Sequence, residues 1–388
     1  MCPNTKSIAP PARKITTMKD VALRAGVHHS SVSVVLNGSR SSAGISSSTR
    51  QRILEAAEEL GYRRNGSAHT IRTGRFGNVA LLLSARRSHS YLPPQLLAGL
   101  HEALSKADMT LTVCLLPDEE LAETSTLPKI LRERMCDGLL IDYNFHIPQP
   151  MIDSIQRYQI PATWINSEQE YDCVRPDDFK AAVEATEYLL KLGHRRIVYV
   201  DFANDREDPQ GHYSVLDRSG GYESVMRQAG LKSQLWDSKL VGSDPIGFCE
   251  EMLRTEQRPT AIVSYATYAM EAASYAAARL GYRVPDDLSV VSFGPDTFDY
   301  MCRPMTLWIE PQYQIGQAAT RMLLSKIGNP IEPIAPQAVA FGFMEGKTTA
   351  RNAEYFQEPI LQSATETSSC TQSERQFHKG FAKGGRHK

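Results

Sequence analysis

The stretch TMKDVALRAGV, residues 17–27, has the signals that begin and end a short helix. Thr17 is a favourable N-cap residue, and Asp20 three positions later makes a capping box with a carboxylate at the positive helix end. Gly26 predicts where the helix ends, because glycine readily adopts the left-handed conformation of helix C-termini. The residues that form one apolar face are Val21, Ala22 and Ala25. A short helix with one buried face and a tight turn after it is therefore predicted.

A second and a third helix are predicted after the glycine turn. Residues 30–37 form the second, with Val32, Val35 and Leu36 inward and His29, Ser30, Ser33 and Val34 outward. After a loop rich in glycine and serine, Ser46 predicts the N-cap of a third helix, which ends near Leu60 before Gly61. Two short helices joined through a glycine turn are typical of a helix-turn-helix, whose second helix enters the major groove of DNA.

The N-terminal region is basic, whereas the rest of the chain has an excess of acidic residues. Residues 1–75 contain twelve lysines and arginines but only four aspartates and glutamates, although the net charge of the whole chain is -1. A basic head on an acidic body is typical of a DNA-binding module joined to another domain, because neutralising phosphates supplies affinity. Charge alone is equally consistent with a basic disordered tail.

Five motifs follow one another between residues 18 and 74. They read MKDVAxxAGV (18–27), SVSxVLN (31–37), ISxxTRxxI (45–53), ELGYR (59–63) and IRTG (71–74). In this order they resemble the lac/gal repressor family of bacterial transcription regulators, and the resemblance extends to about residue 350. The resemblance implies a repressor that binds double-stranded, palindromic operator DNA as a homodimer.

The resemblance assigns DNA contacts by position. The residues that would contact base edges are His29, Ser30 and Val34. Those that would contact phosphates are Thr17, Ser31, Ser33, Asn37, Ser46 and Thr49. Small hydroxyl side chains approach phosphate oxygens closely, but they also cap helices and turns, and His29 is also compatible with a solvated surface position. Val34 stands where the family usually has an arginine that reads guanine, so the operator cannot be inferred from operators of the family.

Residues 64–75 resemble the hinge of the family. There a short helix folds on the operator and inserts side chains into the minor groove, and the matching residues here are Ala68 and Ile71. Gly66 lowers the helix propensity by ~1 kcal/mol relative to alanine. This predicts a hinge that is disordered without DNA, with a plain flexible linker as the alternative.

From residue 76 the pattern changes to alternating strands and helices. The apolar runs typical of strands are 79–83, 111–115, 138–142, 162–165, 197–200, 261–264 and 289–293. The amphipathic helical stretches are 95–106, 179–192, 219–229 and 268–280. This order predicts an α/β fold with parallel sheets, and the resemblance implies a two-lobed, periplasmic-binding-protein-like domain with a ligand cleft between the lobes. The chain would cross between the lobes near residues 166–171, 293–305 and 330–336.

The resemblance also implies an effector site in that cleft. The residues that would contact a small molecule are Arg218, Tyr265, Thr267, Phe293 and Asp296. Two departures from the family pattern put a plain sugar in doubt, because Ala266 and Thr267 replace an Asn-Asp pair and Gly294 replaces a carboxylate that binds sugar hydroxyls. A sugar, a related metabolite and a regulator without an effector all remain open, and a structural salt bridge is the alternative role of Arg218.

The sequence predicts five segments and a dimer. The segments are a disordered N-terminus (1–14), a helix-turn-helix domain (15–63), a hinge (64–75), a two-lobed effector-binding and dimerisation domain (76–348) and a disordered tail (349–388). The tail has no heptad pattern, so a dimer rather than a tetramer is expected. The candidate dimer contacts are Leu96, Leu97, Leu100, Tyr275 and Leu280.

Other classes of protein are disfavoured by motifs that the sequence lacks. It has no apolar run long enough to span a membrane, no secretory signal, and seven scattered cysteines that match neither a disulfide framework nor a zinc site. It also has no phosphate loop, nucleophile elbow or metalloprotease motif. A cytoplasmic protein without catalytic residues, cofactor or metal is therefore expected.

Overall fold

The computed structural model describes residues 16–36, 44–64, 66–86, 89–121, 128–295, 297–299 and 302–353. The chain divides into two units, Met1–Phe76 and Gly77–Lys388. The predicted disordered N-terminus, residues 1–14, and most of the predicted tail lie outside the described residues.

The first unit has four helices in its described part. They are α1 (Met18–Ala25), α2 (His29–Leu36), α3 (Ser47–Glu59) and α4 (Gly66–Thr73). Thr17 and Asp20 form the complete capping box of α1, and Gly26 ends that helix at φ 62° in the left-handed conformation. The first three helices pack on one another through a cluster that includes the fully buried Val21, Val32 and Ile53. The predicted helix-turn-helix is confirmed.

The second unit alternates strands and helices along the chain. In chain order its elements are β1 (Asn78–Ser84), α5 (Pro94–Lys106), β2 (Thr110–Leu116), α6 (Asp118–Leu121), α7 (Lys129–Arg132), β3 (Gly138–Asp142), α8 (Gln149–Arg157), β4 (Ala162–Ile165), β5 (Cys173–Pro176), α9 (Asp178–Lys191), β6 (Ile197–Asp201), α10 (Tyr213–Gln228), β7 (Leu235–Asp237), α11 (Ser238–Val241), α12 (Pro245–Leu253), β8 (Ala261–Ser264), α13 (Thr267–Arg279), β9 (Ser289–Gly294), β10 (Thr306–Ile309), α14 (Gln312–Gly328), β11 (Gln337–Val339) and β12 (Gly342–Met344). Each helix in the described part of the chain is too short or too polar to cross a lipid bilayer.

The strands form two six-stranded sheets. The first has the order β11-β5-β4-β3-β1-β2, and its strands pair in parallel. The second has the order β12-β10-β9-β8-β6-β7, where β12 pairs antiparallel and the others pair in parallel. Each sheet has an apolar cluster on both faces. We call the first sheet with its helices lobe one and the second lobe two, and this confirms the predicted two-lobed α/β architecture.

The chain passes between the lobes three times, between β5 and α9, between β10 and α14, and between β11 and β12. The predicted crossings near residues 166–171, 293–305 and 330–336 are wrong, because each lies too early in the chain. The reason is that the short strands β5, β10 and β11 each continue a sheet before the chain leaves it. We call these connections the crossing segments.

Lobe two extends past residue 348. His194 is buried in lobe two, where its ring Nε2 lies 3.0 Å from the carbonyl oxygen of Ala350 and its Nδ1 lies 3.0 Å from Thr260 Oγ1. The backbone N–H of Asn352 donates to the carbonyl oxygen of Leu192 (2.9 Å). Burial lowers the pKa of His194 to about 4, so the ring is neutral near pH 7. The start of the predicted tail is therefore bound to the lobe.

Two of the five predicted dimer contacts are wrong. Leu96 and Leu100 are fully buried in lobe one, where they pack with the first sheet and α14, so they cannot reach a second chain. Leu97 and Tyr275 are exposed, and Leu280 is partly buried against the core of lobe two. The helical period placed Leu96 and Leu100 on the inner face of α5.

Helices α5 and α14 approach each other closely at two glycines. A Cβ atom added to Gly99 would lie 2.2 Å from the carbonyl oxygen of Tyr313, and one added to Gly316 would lie 2.6 Å from that of Leu96. Only glycine fits at such a crossing without a shift of the backbone.

Replacement of Gly99 by alanine is expected to lower the free energy of unfolding of the second unit by ~1–3 kcal/mol, as overpacking a core does. The added methyl group must push the backbone of α14 away. Urea unfolding at equilibrium measures the effect. Gly328→Ala is the matched control, because no atom lies within 4 Å of a Cβ atom there, and it should be neutral or slightly stabilising. Equal stability of the two variants would contradict the prediction.

Candidate functional site

The exposed face of α2 presents the residues that the sequence predicts to contact bases. His29 and Ser30 are exposed at the first turn, and Val34 one turn later is half-buried. Val32 and Val35 lie on the opposite face, in the core of the first unit. The structure therefore places the three predicted base-contacting side chains on the side of α2 that does not pack on the core.

His28 is a candidate that the sequence reasoning missed. Its ring Nδ1 accepts a hydrogen bond from the backbone N–H of Ser30 (3.3 Å) and lies 2.9 Å from Ser30 Oγ. The exposed imidazole thus caps the start of α2, and its Nε2 lies on the far side of the ring from this bond. The available signal was its position just before the first helical residue, where a side chain that accepts hydrogen bonds is favoured.

The predicted phosphate contacts include hydroxyl groups that also cap helices. Thr17 Oγ1 accepts from the backbone N–H of Asp20 (3.4 Å) and donates to its carboxylate (2.7 Å). Ser46 Oγ accepts from the backbone N–H of Thr49 (3.2 Å) and donates to Thr49 Oγ1 (2.9 Å). The other predicted contacts are Ser31 and Ser33, half-buried on α2, and Asn37, which lies outside the described residues.

The hinge segment forms a helix. Gly66–Thr73 is helical as α4, and Thr70 Oγ1 donates to the carbonyl oxygen of Gly66 (3.1 Å), which supports its first turn. The structure therefore differs from the predicted disordered hinge, because it has a helix there. Ile71 is 86% exposed, and the side chain of Ala68 lies outside the described part of the chain.

A cavity of about 890 Å³ lies within the second unit, at the carboxyl ends of the strands of both lobes. Asn144 follows β3 and Asn166 follows β4 on the side of lobe one. Lobe two contributes the start of α10, the end of β8 and the start of α13. A cavity of this size suits a small molecule.

Arg218 on α10 is held on several sides within this cleft. Its Nε donates to Asp178 (2.6 Å), and its two terminal nitrogens donate to the carbonyl oxygen of Tyr265 (2.7 Å) and to Glu310 (2.9 Å). The guanidinium also lies 4.7 Å and 4.9 Å from the ring centres of Tyr265 and Phe293. The ion pair proposed as an alternative role of Arg218 is present, and its side chain also lines the cavity.

A chain of hydrogen bonds links the cleft to lobe one. The hydroxyl of Tyr265 lies 2.9 Å from Ser214 Oγ, which lies 2.6 Å from His212 Nδ1. His212 Nε2 donates to the backbone carbonyl of Asn166 (2.9 Å), so Nδ1 must be the acceptor in the neutral ring. Burial lowers the pKa of His212, which keeps the ring uncharged. The start of α10 therefore contacts both the cavity and the neighbouring lobe.

Four of the five predicted effector contacts line the cavity, namely Arg218, Tyr265, Thr267 and Phe293. Asp296 lies outside the described residues. The sequence reasoning missed several lining residues, namely Tyr91, Asn144, Phe145, Asn166, His212, Ser214, Glu310 and Gln312. The rule that ligands bind at the carboxyl ends of strands would have identified Asn144 and Asn166.

Two families match separate parts of the chain. Residues 17–65 match the bacterial regulatory proteins of the lacI family, and residues 186–349 match the periplasmic binding protein-like domain. The DNA-binding domain of the chain belongs to the lacI family. The chain is a DNA-binding transcription regulator with a ligand-binding domain, and not an enzyme.

Relatives of this lacI-family regulator match along most of their length. Catabolite control protein A of Priestia megaterium is 26% identical over 316 residues, which are 79% of this chain and 91% of that protein. The lac repressor dimer bound to operator and the anti-inducer ONPF has a TM-score of 0.68 at 21% identity, covering 87% of this chain and 100% of its own. The CelR–cellobiose complex has a TM-score of 0.56 at 22% identity, covering 86% and 99%. Both structures share the fold of this regulator.

Proposed function

We propose that this lacI-family regulator is a repressor that binds a palindromic operator as a homodimer, and that a small molecule in the cleft modulates this binding. The presence in one chain of an outward-facing recognition helix and a cavity of about 890 Å³ supports this function above all. Among similar proteins, the lac repressor is a dimer bound to operator and CelR binds cellobiose.

On the DNA side, α2 would enter the major groove with its first turn. His29 and Ser30 would contact base edges, and Val34 would contact at most a thymine methyl group, since its side chain has no hydrogen-bonding atom. Ile71 and Ala68 of α4 would enter the minor groove at the operator centre. The proposed phosphate contacts remain Thr17, Ser31, Ser33, Asn37, Ser46 and Thr49.

On the ligand side, contacts are proposed for Arg218, Tyr265, Thr267, Phe293 and Asp296. The first four surround one cavity, and aromatic rings there can stack on an apolar face of a ligand. Because the start of α10 also contacts Asn166 in lobe one, a ligand against α10 can alter how the lobes are held together.

The dimer would form through an exposed apolar surface of lobe one. Leu97 of α5 is exposed, and so are Val113 and Leu115 of the neighbouring edge strand β2. A second copy of the chain would cover this surface, which would also protect an unpaired strand edge. A dimer presents two copies of α2 to two half-sites of a palindrome.

Selection of sites from a random duplex library by the full-length protein tests the DNA part. We expect a near-palindrome with a deformable central step, and an affinity that falls steeply with salt. Transcription in vitro from a promoter overlapped by the selected site then tests repression. If no sequence is enriched in the absence or presence of candidate ligands, operator binding is wrong.

Replacement of His29 by alanine is expected to relax base preference at one position of each half-site by ~1–3 kcal/mol. His29 is exposed, so its loss should leave the first unit folded. Binding to the selected site and to its single-base variants measures the change. Ser31→Ala is the control, and it should weaken binding to all sequences alike, because a phosphate contact does not read sequence. An unchanged base preference in H29A would contradict the proposed role.

Operator release in the presence of a ligand panel tests the effector part. The panel contains uncharged saccharides and nucleosides together with their phosphate esters, and the readout is operator affinity as well as thermal stability. The absence of carboxylates at Ala266, Thr267 and Gly294 favours one second candidate, a regulator with no effector. No change of affinity or stability with any compound would support that candidate.

A further inference from the structure

The charged side chains of the cleft contain more negative than positive groups. Among the described residues that line the cavity, Arg218 is the one cationic side chain, whereas Glu310 is anionic. Asp178 lies directly behind Arg218, and Asp201 lies behind Tyr268, whose hydroxyl donates to it (2.9 Å). His212 is kept neutral by burial. The described surroundings of a bound molecule therefore carry a net negative charge.

The charge of Arg218, the one cation among the described lining residues, is already neutralised. Arg218 pairs with Asp178 at 2.6 Å and with Glu310 at 2.9 Å, and its side chain is 6% exposed. Burial alone would lower the pKa of Arg218, but the two carboxylates raise it well above its ordinary value. Three of its five N–H groups are used by Asp178, Tyr265 and Glu310, which leaves two donors but no uncompensated charge.

The helix N-termini of the cleft favour an anion. The starts of α10, α13 and α14 line the cavity, and Ala266 at the N-cap of α13 provides no side-chain hydrogen bond. The partial charge of a helix end is roughly half an elementary charge, so the three ends together contribute roughly one and a half positive charges. Even with the charge of Arg218 added, this is less than the negative charge of Asp178, Asp201 and Glu310.

We propose that the cleft selects an uncharged ligand, and that Arg218 acts on it as a hydrogen-bond donor and not as the counter-ion of an anionic group. This rests on the proposed function of the cleft as an effector site. Neutral donors and acceptors line the cavity, among them Asn144, Asn166 and Thr267, and Tyr91, Tyr268 and Phe298 expose aromatic faces there. A polar molecule with an apolar face fits this lining, whereas a phosphate or carboxylate group would meet buried carboxylates, and the described lining residues offer no cation that is not already paired.

Titration of the full-length protein with inorganic phosphate at constant ionic strength tests this. Glu310→Gln removes one negative charge while leaving an oxygen that accepts from Arg218, so the variant should bind phosphate about tenfold or more tightly than the natural protein. Glu256→Gln is the matched control, because this exposed residue lies before β8, at the end of the strand away from the cavity. We expect the natural protein and E256Q to bind phosphate equally weakly, without saturation over the concentration range in which E310Q saturates.

Each outcome decides the proposal. Saturable phosphate binding by the natural protein that a folded Arg218→Gln variant lacks would overturn it, and so would a folded E310Q variant without any gain. If E310Q does not fold, the natural protein is titrated with glucose and glucose 6-phosphate, and with cytidine and its monophosphate. Tighter binding of either phosphate ester than of its parent would overturn the proposal, and absence of binding by both esters would support it.

The phosphate titration is separable from the proposed function. It measures the binding of phosphate in the cleft and not the affinity for the operator. If phosphate binds the natural protein and releases the operator, the charge selection is wrong while the effector function stands. If E310Q gains phosphate binding but no compound changes operator affinity, the charge selection stands while the effector function fails.

Discussion

Replacement of Arg218 by methionine is expected to lower the free energy of unfolding of the second unit by ~3–5 kcal/mol, because it leaves two carboxylates without their buried cation. Asp178 is 1% exposed and Glu310 is 16% exposed, so neither can be fully hydrated in the folded protein. Methionine has a similar length and retains apolar contact with the rings of Tyr265 and Phe293. The loss should therefore be mainly electrostatic.

Equilibrium unfolding in urea, followed by tryptophan fluorescence, measures this loss. The three tryptophans, Trp164, Trp236 and Trp308, all lie in the second unit, so their emission does not report on the head. The triple variant in which R218M is combined with D178N and E310Q should recover at least about half of the lost stability, because it removes the orphaned charges. If R218M alone stays within about 1 kcal/mol of the natural protein, the pairs contribute little, as exposed pairs do.

The partners of Arg218 could not be predicted from the sequence. Asp178 and Glu310 are 40 and 92 residues away along the chain, and they approach Arg218 only when the crossing segments are in place. No local pattern indicates such a contact, because both carboxylates look like ordinary residues at the ends of elements. The resemblance placed Arg218 near the ligand, but only the fold shows that its charge is already paired.

The helix-turn-helix was predictable because its determinants are local. Each of these determinants bonds atoms only a few residues away along the chain. They are the capping box of Thr17 and Asp20, the left-handed Gly26 and the cap of Ser46. The strands β1, β3, β4, β6, β8 and β9 were predictable for a similar reason, since each is an apolar run buried on both faces. Local signals of this kind do not depend on the rest of the fold.

The short strands show where such signals end. Strand β5 reads CVRP, with a charged residue and a proline, and β11 reads QAV over three residues. Each is a strand because a neighbouring strand pairs with it, as Val174 does with both Ile165 and Gln337. The positions of the crossings depend on these pairings, so they were wrong by several residues while the two-lobed fold was correct.

Replacement of Ile71 by alanine is expected to weaken binding to the selected operator by about tenfold or more for each protomer. Fully burying an isoleucine side chain contributes about 1.5–3 kcal/mol, and most of that contribution disappears with the truncation. Ile71 is 86% exposed on α4, so the free protein gains nothing from it. The effect should therefore appear in DNA binding and not in the stability of the first unit.

The salt dependence and the exposed Leu23 separate minor-groove insertion from a general loss of affinity. Because Ile71 contacts no phosphate in the proposed complex, the slope of log affinity against log salt should not change in I71A, and affinity for non-specific DNA should stay the same. Leu23 on α1 is also 86% exposed and lies outside the proposed DNA-binding surface, so L23A should bind the operator as the natural protein does. If I71A binds the operator as tightly as L23A, α4 does not insert into the groove, and residues 64–75 act as a linker between the two units. If I71A binds the operator more weakly and its salt slope also falls, the substitution has displaced phosphate contacts. In that case α4 positions the first unit on the DNA backbone without itself entering the groove.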